Sequence, residues 1–207
     1  ELGIREMLPI EAGLRMGVLW DLHLRRSNRD RRNHSVREFG RKFGTNQTRA
    51  NHVRQNTLAL HAQLLTDTDH YGRLLGWAAC LHEVGMAVSH SSFHKHGAYL
   101  VLHADLPGFT KQEQYLLSIL VLAQKGNLRK VAEAVALPDL AKAILALRLA
   151  VLFSHSKIDL AEYPVRLKVR QRIELEIPAS IAKKHPTLTH WLHKEVATWA
   201  EVGITML

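Results

Sequence analysis

Apolar residues recur at helical spacing along most of this chain and switch to strict alternation only after Tyr163-Pro164. In HSVREFGRKFG, Val36, Phe39 and Phe43 share one face, Arg37, Arg41 and Lys42 lie elsewhere on the wheel, and Gly44 is a stop signal. Thr45 or Asn46 caps a second helix that runs through Val53, Leu60 and Leu64. GRLLGWAACLHEVG is apolar almost all round, which predicts a buried central helix. Leu106-Pro107-Gly108 reads as a loop, and residues 111–123 and 140–153 as two further helices.

VRLKVRQRIELEI puts Val165, Leu167, Val169, Ile173, Leu175 and Ile177 on alternate positions, with Arg166, Lys168, Arg170, Arg172, Glu174 and Glu176 between them. Period two predicts strand with one apolar side, and the run is long enough to require a turn near Arg170-Gln171. Pro178 ends this run. Leu188, Trp191, Leu192, Val196 and Trp199 mark an amphipathic helix stopped by Gly203, and ITML is a candidate third strand. The prediction is a mainly α fold. Residues 1–20 lead into the first helix, 21–160 form a helical domain, and 161–207 form a small α/β domain of hairpin, helix and third strand.

At 46% hydrophobic, the chain has material for a true core. Its 28 Lys plus Arg against 19 Asp plus Glu give a formal charge of +9, which points to a polyanionic partner. Aromatic residues are only 6% and no zinc finger or RNP-type motif is present, so nucleic acid ranks last among polyanions. The single Cys80 cannot form an internal disulfide, which fits a reducing cytoplasm. The most apolar stretch, 137–153, is interrupted by Asp139, Lys142 and Arg148 and is too short to span a bilayer. ELGIREMLPI has no signal-peptide pattern, and a start at Glu1 predicts a fragment of a longer protein.

Two clusters carry candidate chemistry. LRRSNRDRRNHSVREFGRKFG holds Arg25, Arg26, Arg29, Arg31, Arg32, Arg37, Arg41 and Lys42, a density suited to tracking a chain of negative charges. CLHEVGMAVSHSSFHKHGAYL holds His82-Glu83, then His94, Lys95 and His96. His and carboxylate together suit a divalent metal that activates water. Protonated imidazole beside lysine suits phosphate instead. The histidines resemble the HD phosphohydrolase superfamily, with His34 as the upstream ligand and His82-Glu83 as the central pair. In LRLAVLFSHSKID the superfamily's last aspartate falls on Ala150 or Val151, so the expected metal set of His34, His82 and Glu83 is incomplete.

Three strings carry a closer resemblance: GLRMGVLWDL, LHEVGMAVSHSSFHKHGAYL and ADLPGFTKQEQ. From about residue 2 to about 155 the chain resembles the Ppx/GppA family of exopolyphosphatases and guanosine pentaphosphate phosphohydrolases. The resemblance implies a C-terminal half, HD-like in fold, that binds polyphosphate and supports a homodimer. It also implies that hydrolysis, with its Mg²⁺ and catalytic glutamate, belongs to N-terminal domains, so no cofactor is expected in this stretch. The implied substrate is inorganic polyphosphate or guanosine pentaphosphate. The alternative is a metal-dependent HD phosphohydrolase acting on a nucleotide such as guanosine tetraphosphate.

Overall fold

A computed structural model describes residues 13–25, 30–65, 71–158, 160, 162–169 and 173–204. The order is α1 (Leu14–Arg25), α2 (Arg31–Lys42), α3 (Gln47–Ala62), α4 (Gly72–Cys80), α5 (Phe93–His103), α6 (Lys111–Ala123), α7 (Ala132–Val135) and α8 (Pro138–His155). Then come β1 (Arg166–Val169), β2 (Ile173–Glu176), α9 (Ala179–Lys184) and α10 (Pro186–Ala200). The fold is mainly helical with a C-terminal hairpin, as the periodicity predicts.

Local signals set the helix starts. Asp30 and Asn46 accept hydrogen bonds from the first turns of α2 and α3, and Thr110 with Glu113 forms a capping box on α6. Pro138 occupies the first turn of α8, where its missing N–H costs nothing. The central helix is α8: residues 143 to 151 are all buried, and α3, α4, α6, α7 and α10 pack around it. GRLLGWAACLHEVG is not one continuous helix. It stops at Cys80, turns through Leu81, His82 and Glu83, and continues as a 3-10 turn over Val84–Ala87. The tight turn is needed because Val84–Ala87 lies directly on the backbone of α5 at Gly85.

The hairpin is antiparallel, with Arg166 opposite Glu176 and Val169 opposite Ile173. The expected turn residues, and the last three residues of ITML, lie outside the described residues. Val165 and Leu167 are buried, and Gln63 at the end of α3 donates to Val165 O at 3.3 Å and accepts from Leu167 N at 2.9 Å. Leu188, Leu192 and Trp199 of α10 join the same apolar cluster as α8. The hairpin and α10 therefore close one side of the helical body and share its core. Among the described residues no helix is long and apolar enough to cross a membrane.

Candidate functional site

The His82-Glu83 turn is buried, at 2% and 6% exposure. His82 Nδ1 donates to Ala79 O at 2.7 Å, and its backbone carbonyl accepts from Gln124 Nε2 at 2.8 Å. The turn is thereby pinned to the end of α6. His82 Nε2 lies 3.8 Å from Glu83 Oε1, beyond hydrogen-bond length, while Arg49 Nε lies 3.4 Å from Glu83 Oε2. Arg49 also lines a cleft of about 460 Å³ with Asn46, His52, Ser154 and Lys157. Burial pushes the Glu83 carboxyl up in pKa, opposed by Arg49. Burial likewise pushes His82 down to about 4.

This is a poor setting for a divalent cation. A guanidinium already neutralises Glu83, and although His82 keeps Nε2 open as a metal-ligating imidazole does, further ligands are not gathered around it. His34 does not join them. It is exposed in another cleft, with Arg31, Glu38 and Tyr99. Among the described residues no group of three or more His, Cys, Asp or Glu could hold a metal. The expected set of His34, His82 and Glu83 is not assembled.

The buried imidazole has a consequence for stability. Its folded pKa of about 4 lies below the unfolded value near 6.5, so the unfolded chain binds the proton first. Its contribution is intact above about pH 6.5 and is lost as pH falls toward 4, with a ceiling of about 3 kcal/mol. Glu83, shifted upward, acts in the opposite sense. Urea unfolding at pH 7 and pH 4.5 is expected to show a loss on acidification that His82→Asn reduces by about 1–3 kcal/mol. An equal loss in both proteins would show that His82 is not the titrating group.

The arginine cluster divides. Arg26 and Arg29 lie outside the described residues, as does the side chain of Arg25. Arg31, Arg37, Arg41 and Lys42 are exposed on α2. Arg31, Arg41 and Lys42 line a cleft of about 710 Å³ between α2 and α5, and Arg41 pairs with Glu38 at 2.7 Å. Arg32 is different. It is 6% exposed, bridges Asp30 and Glu113, and its guanidinium sits 4.7 Å from the Trp77 ring. Burial raises the Asp30 carboxyl, but the Arg32 hydrogen bonds outweigh it and hold the group below its usual range. Arg32 is thus a structural clamp between α2 and α6 and is not available to a polyanion.

The second cluster is denser than the sequence suggests. Ser92, the residue before α5, is left-handed and gives no side-chain cap, so its hydroxyl does not cover the N-terminus of the helix and its partial positive charge. His94 stands in that first turn at 8% exposure, with Nδ1 lacking any hydrogen-bond partner. Burying an N–H without an acceptor costs about 1–3 kcal/mol, which places the ring proton on Nε2. Nε2 faces the backbone of Gly126, where a Cβ would lie 3.4 Å from it and 3.4 Å from Lys130 Nζ. Lys95 is exposed beside it, His96 is half-buried, and the Lys125 ammonium sits 5.1 Å from the Phe93 ring. Burial, then the charges of Lys130, Lys95, Lys125 and Arg148, push His94 down to about 4. His94 is therefore neutral at pH 7 and offers an N–H rather than the protonated ring expected from sequence.

A family model described as Ppx/GppA phosphatase, domain III, matches residues 31–196. The chain belongs to the Ppx/GppA phosphatase family. It is similar to a guanosine-5'-triphosphate,3'-diphosphate pyrophosphatase of Photobacterium profundum, 26% identical over 210 residues. That alignment covers 98% of this chain and 42% of the relative, so the chain spans less than half the relative's length. In this domain III, sequence reading overlooked Lys125 and Lys130. AQKGNLRK places three cations around one glycine between two helices, and that was the signal available.

Proposed function

We propose that this domain III is the polyanion-binding and pairing region of a phosphatase that removes terminal phosphate from inorganic polyphosphate or guanosine pentaphosphate. Hydrolysis, with its Mg²⁺, belongs in this reading to other domains of the parent protein. The observation that carries the reading is the collection of basic groups at the start of α5, where the neutral His94 meets Lys95, Lys125 and Lys130. The exposed cations of α2 extend the same chemistry. Pairing draws support from α1, whose Leu14, Val18, Leu19, Trp20 and Leu22 are all more than half exposed. No observation favours metal-dependent hydrolysis of guanosine tetraphosphate by this chain.

Two measurements test it. Fluorescently labelled long-chain polyphosphate is expected to bind at about 50 mM salt and to be released as salt rises, because each contact frees counterions. Arg31→Ala, Arg37→Ala and Lys42→Ala together, leaving the Arg32 clamp intact, are expected to lower affinity about tenfold or more and flatten the salt slope by about two to three. No binding at that salt would sink the reading, and equal affinity for duplex DNA would make the contact a general polyanion one. For pairing, sedimentation is expected to show dimers that Leu19→Glu with Trp20→Glu converts to monomers. A monomer at every concentration would remove pairing from the proposal.

A further inference from the structure

The loop from Gln124 to Lys130 meets α5 at Gly126. Gly126 has φ +81, and its missing Cβ leaves space between His94 Nε2 and Lys130 Nζ. Arg148 Nη1 donates to Ala123 O at 2.7 Å and to Gly126 O at 3.0 Å, so these two carbonyls are turned to α8. Lys130 Nζ donates to Lys125 O at 2.5 Å, and among the described residues no carboxylate pairs with it. The groups around it are His94 and Lys95 from α5, Lys125 from the loop and Arg148 from α8. Glu195 of α10 is turned to Arg148. A half-buried ammonium among like charges is a costly arrangement unless an anion completes it.

We propose, resting on the polyanion reading above, that His94, Gly126 and Lys130 form a discrete subsite for one phosphoryl group, and that filling it draws one proton from solvent onto Lys130. The phosphoryl oxygens accept from His94 Nε2–H and from Lys130, with the first turn of α5 adding the favourable end of its dipole. Without the anion, burial and then the charges of Arg148 and Lys95 push Lys130 down to about 7, so near neutrality much of it is uncharged. With the anion, the charged form gains its counterion and the pKa returns toward the ordinary lysine range. The sign follows. Proton uptake on binding is small below about pH 6, about half a proton at pH 7 and close to one by about pH 8.5, and affinity falls up to about tenfold per pH unit above 7.

Calorimetry with long-chain polyphosphate tests this, because its internal phosphates do not titrate between about pH 6 and 9. Titrations at pH 8 in two buffers of different ionisation enthalpy are expected to report uptake close to one proton per site. Lys130→Arg, which keeps a charge that cannot be lost, is expected to bind with little change in affinity at pH 6.5, no proton uptake and a flattened pH dependence. Lys130→Ala is expected to bind about tenfold more weakly at pH 6.5. Binding without proton uptake, or uptake that persists in Lys130→Arg, overturns the subsite and leaves the broader reading standing. Absence of polyphosphate binding at low salt overturns both.

Discussion

Gly85→Ala is expected to cost about 3–4 kcal/mol of stability, and the midpoint of urea unfolding is the measurement that shows it. A Cβ at residue 85 would lie 1.9 Å from Phe93 O and 2.4 Å from Gly97 N, both backbone atoms that no rotamer change can move. The 3-10 turn would have to lift off α5. That movement drags the His82-Glu83 turn at one end and displaces the start of α5, with His94 and Lys95, at the other. Weaker polyphosphate binding is expected alongside the lost stability. Gly97→Ala is the control. Its Cβ meets Val121 Cγ1 at 3.1 Å, a side-chain contact, and alanine gains helix propensity of about 1 kcal/mol over glycine. The net change there is expected to stay within about 1 kcal/mol. Equal effects at the two glycines would show that the close backbone approach at Gly85 does not limit stability.

The helical body was legible because its apolar residues follow one period and its caps are conventional. The Asn46 cap can be read directly, and the alternation from Val165 to Ile177 gives the hairpin. What periodicity could not reveal was the break after Cys80. LHEVG continues the apolar pattern of α4, and only the packing of Gly85 on α5 requires the chain to turn there. The site was legible in part. The charge of the Arg25–Lys42 segment is plain in the sequence, but its division is not, because Arg32 is set apart from Arg31 by partners 2 and 81 positions away. The gathering of Lys125 and Lys130 beside His94 likewise depends on how α6 ends against α5, a tertiary fact. His52 and Arg49 share a cleft near the His82-Glu83 turn, a juxtaposition that spacing along the chain does not announce.

Arg148 ties the fold to the site, and its removal is the second large effect expected. In the sequence it is a lone charge in AILALRLAVLF, a position that makes sense only if it is paired. It is 5% exposed and forks onto both oxygens of Glu195, with Nη2 to Oε2 at 2.8 Å, while Nη1 holds the carbonyls of Ala123 and Gly126. Glu195 also accepts from Trp199 Nε1 at 2.8 Å. Arg148→Met leaves a carboxylate buried without its cation and is expected to cost about 3–5 kcal/mol, read as a lower urea midpoint. Arg148→Met with Glu195→Leu removes the lone charge, and an ordinary buried pair treated this way would recover most of the loss. Here recovery is expected to be incomplete, because two carbonyls and the Trp199 N–H lose partners at about 1–3 kcal/mol for each group left buried. A fully recovered double variant would mean that those carbonyls find water and that Arg148 does not shape the Gly126 loop. If the loop is shaped as described, the double variant also relieves the cationic crowding at Lys130. Its free ammonium is then charged at higher pH, and less proton is taken up when polyphosphate binds at pH 8.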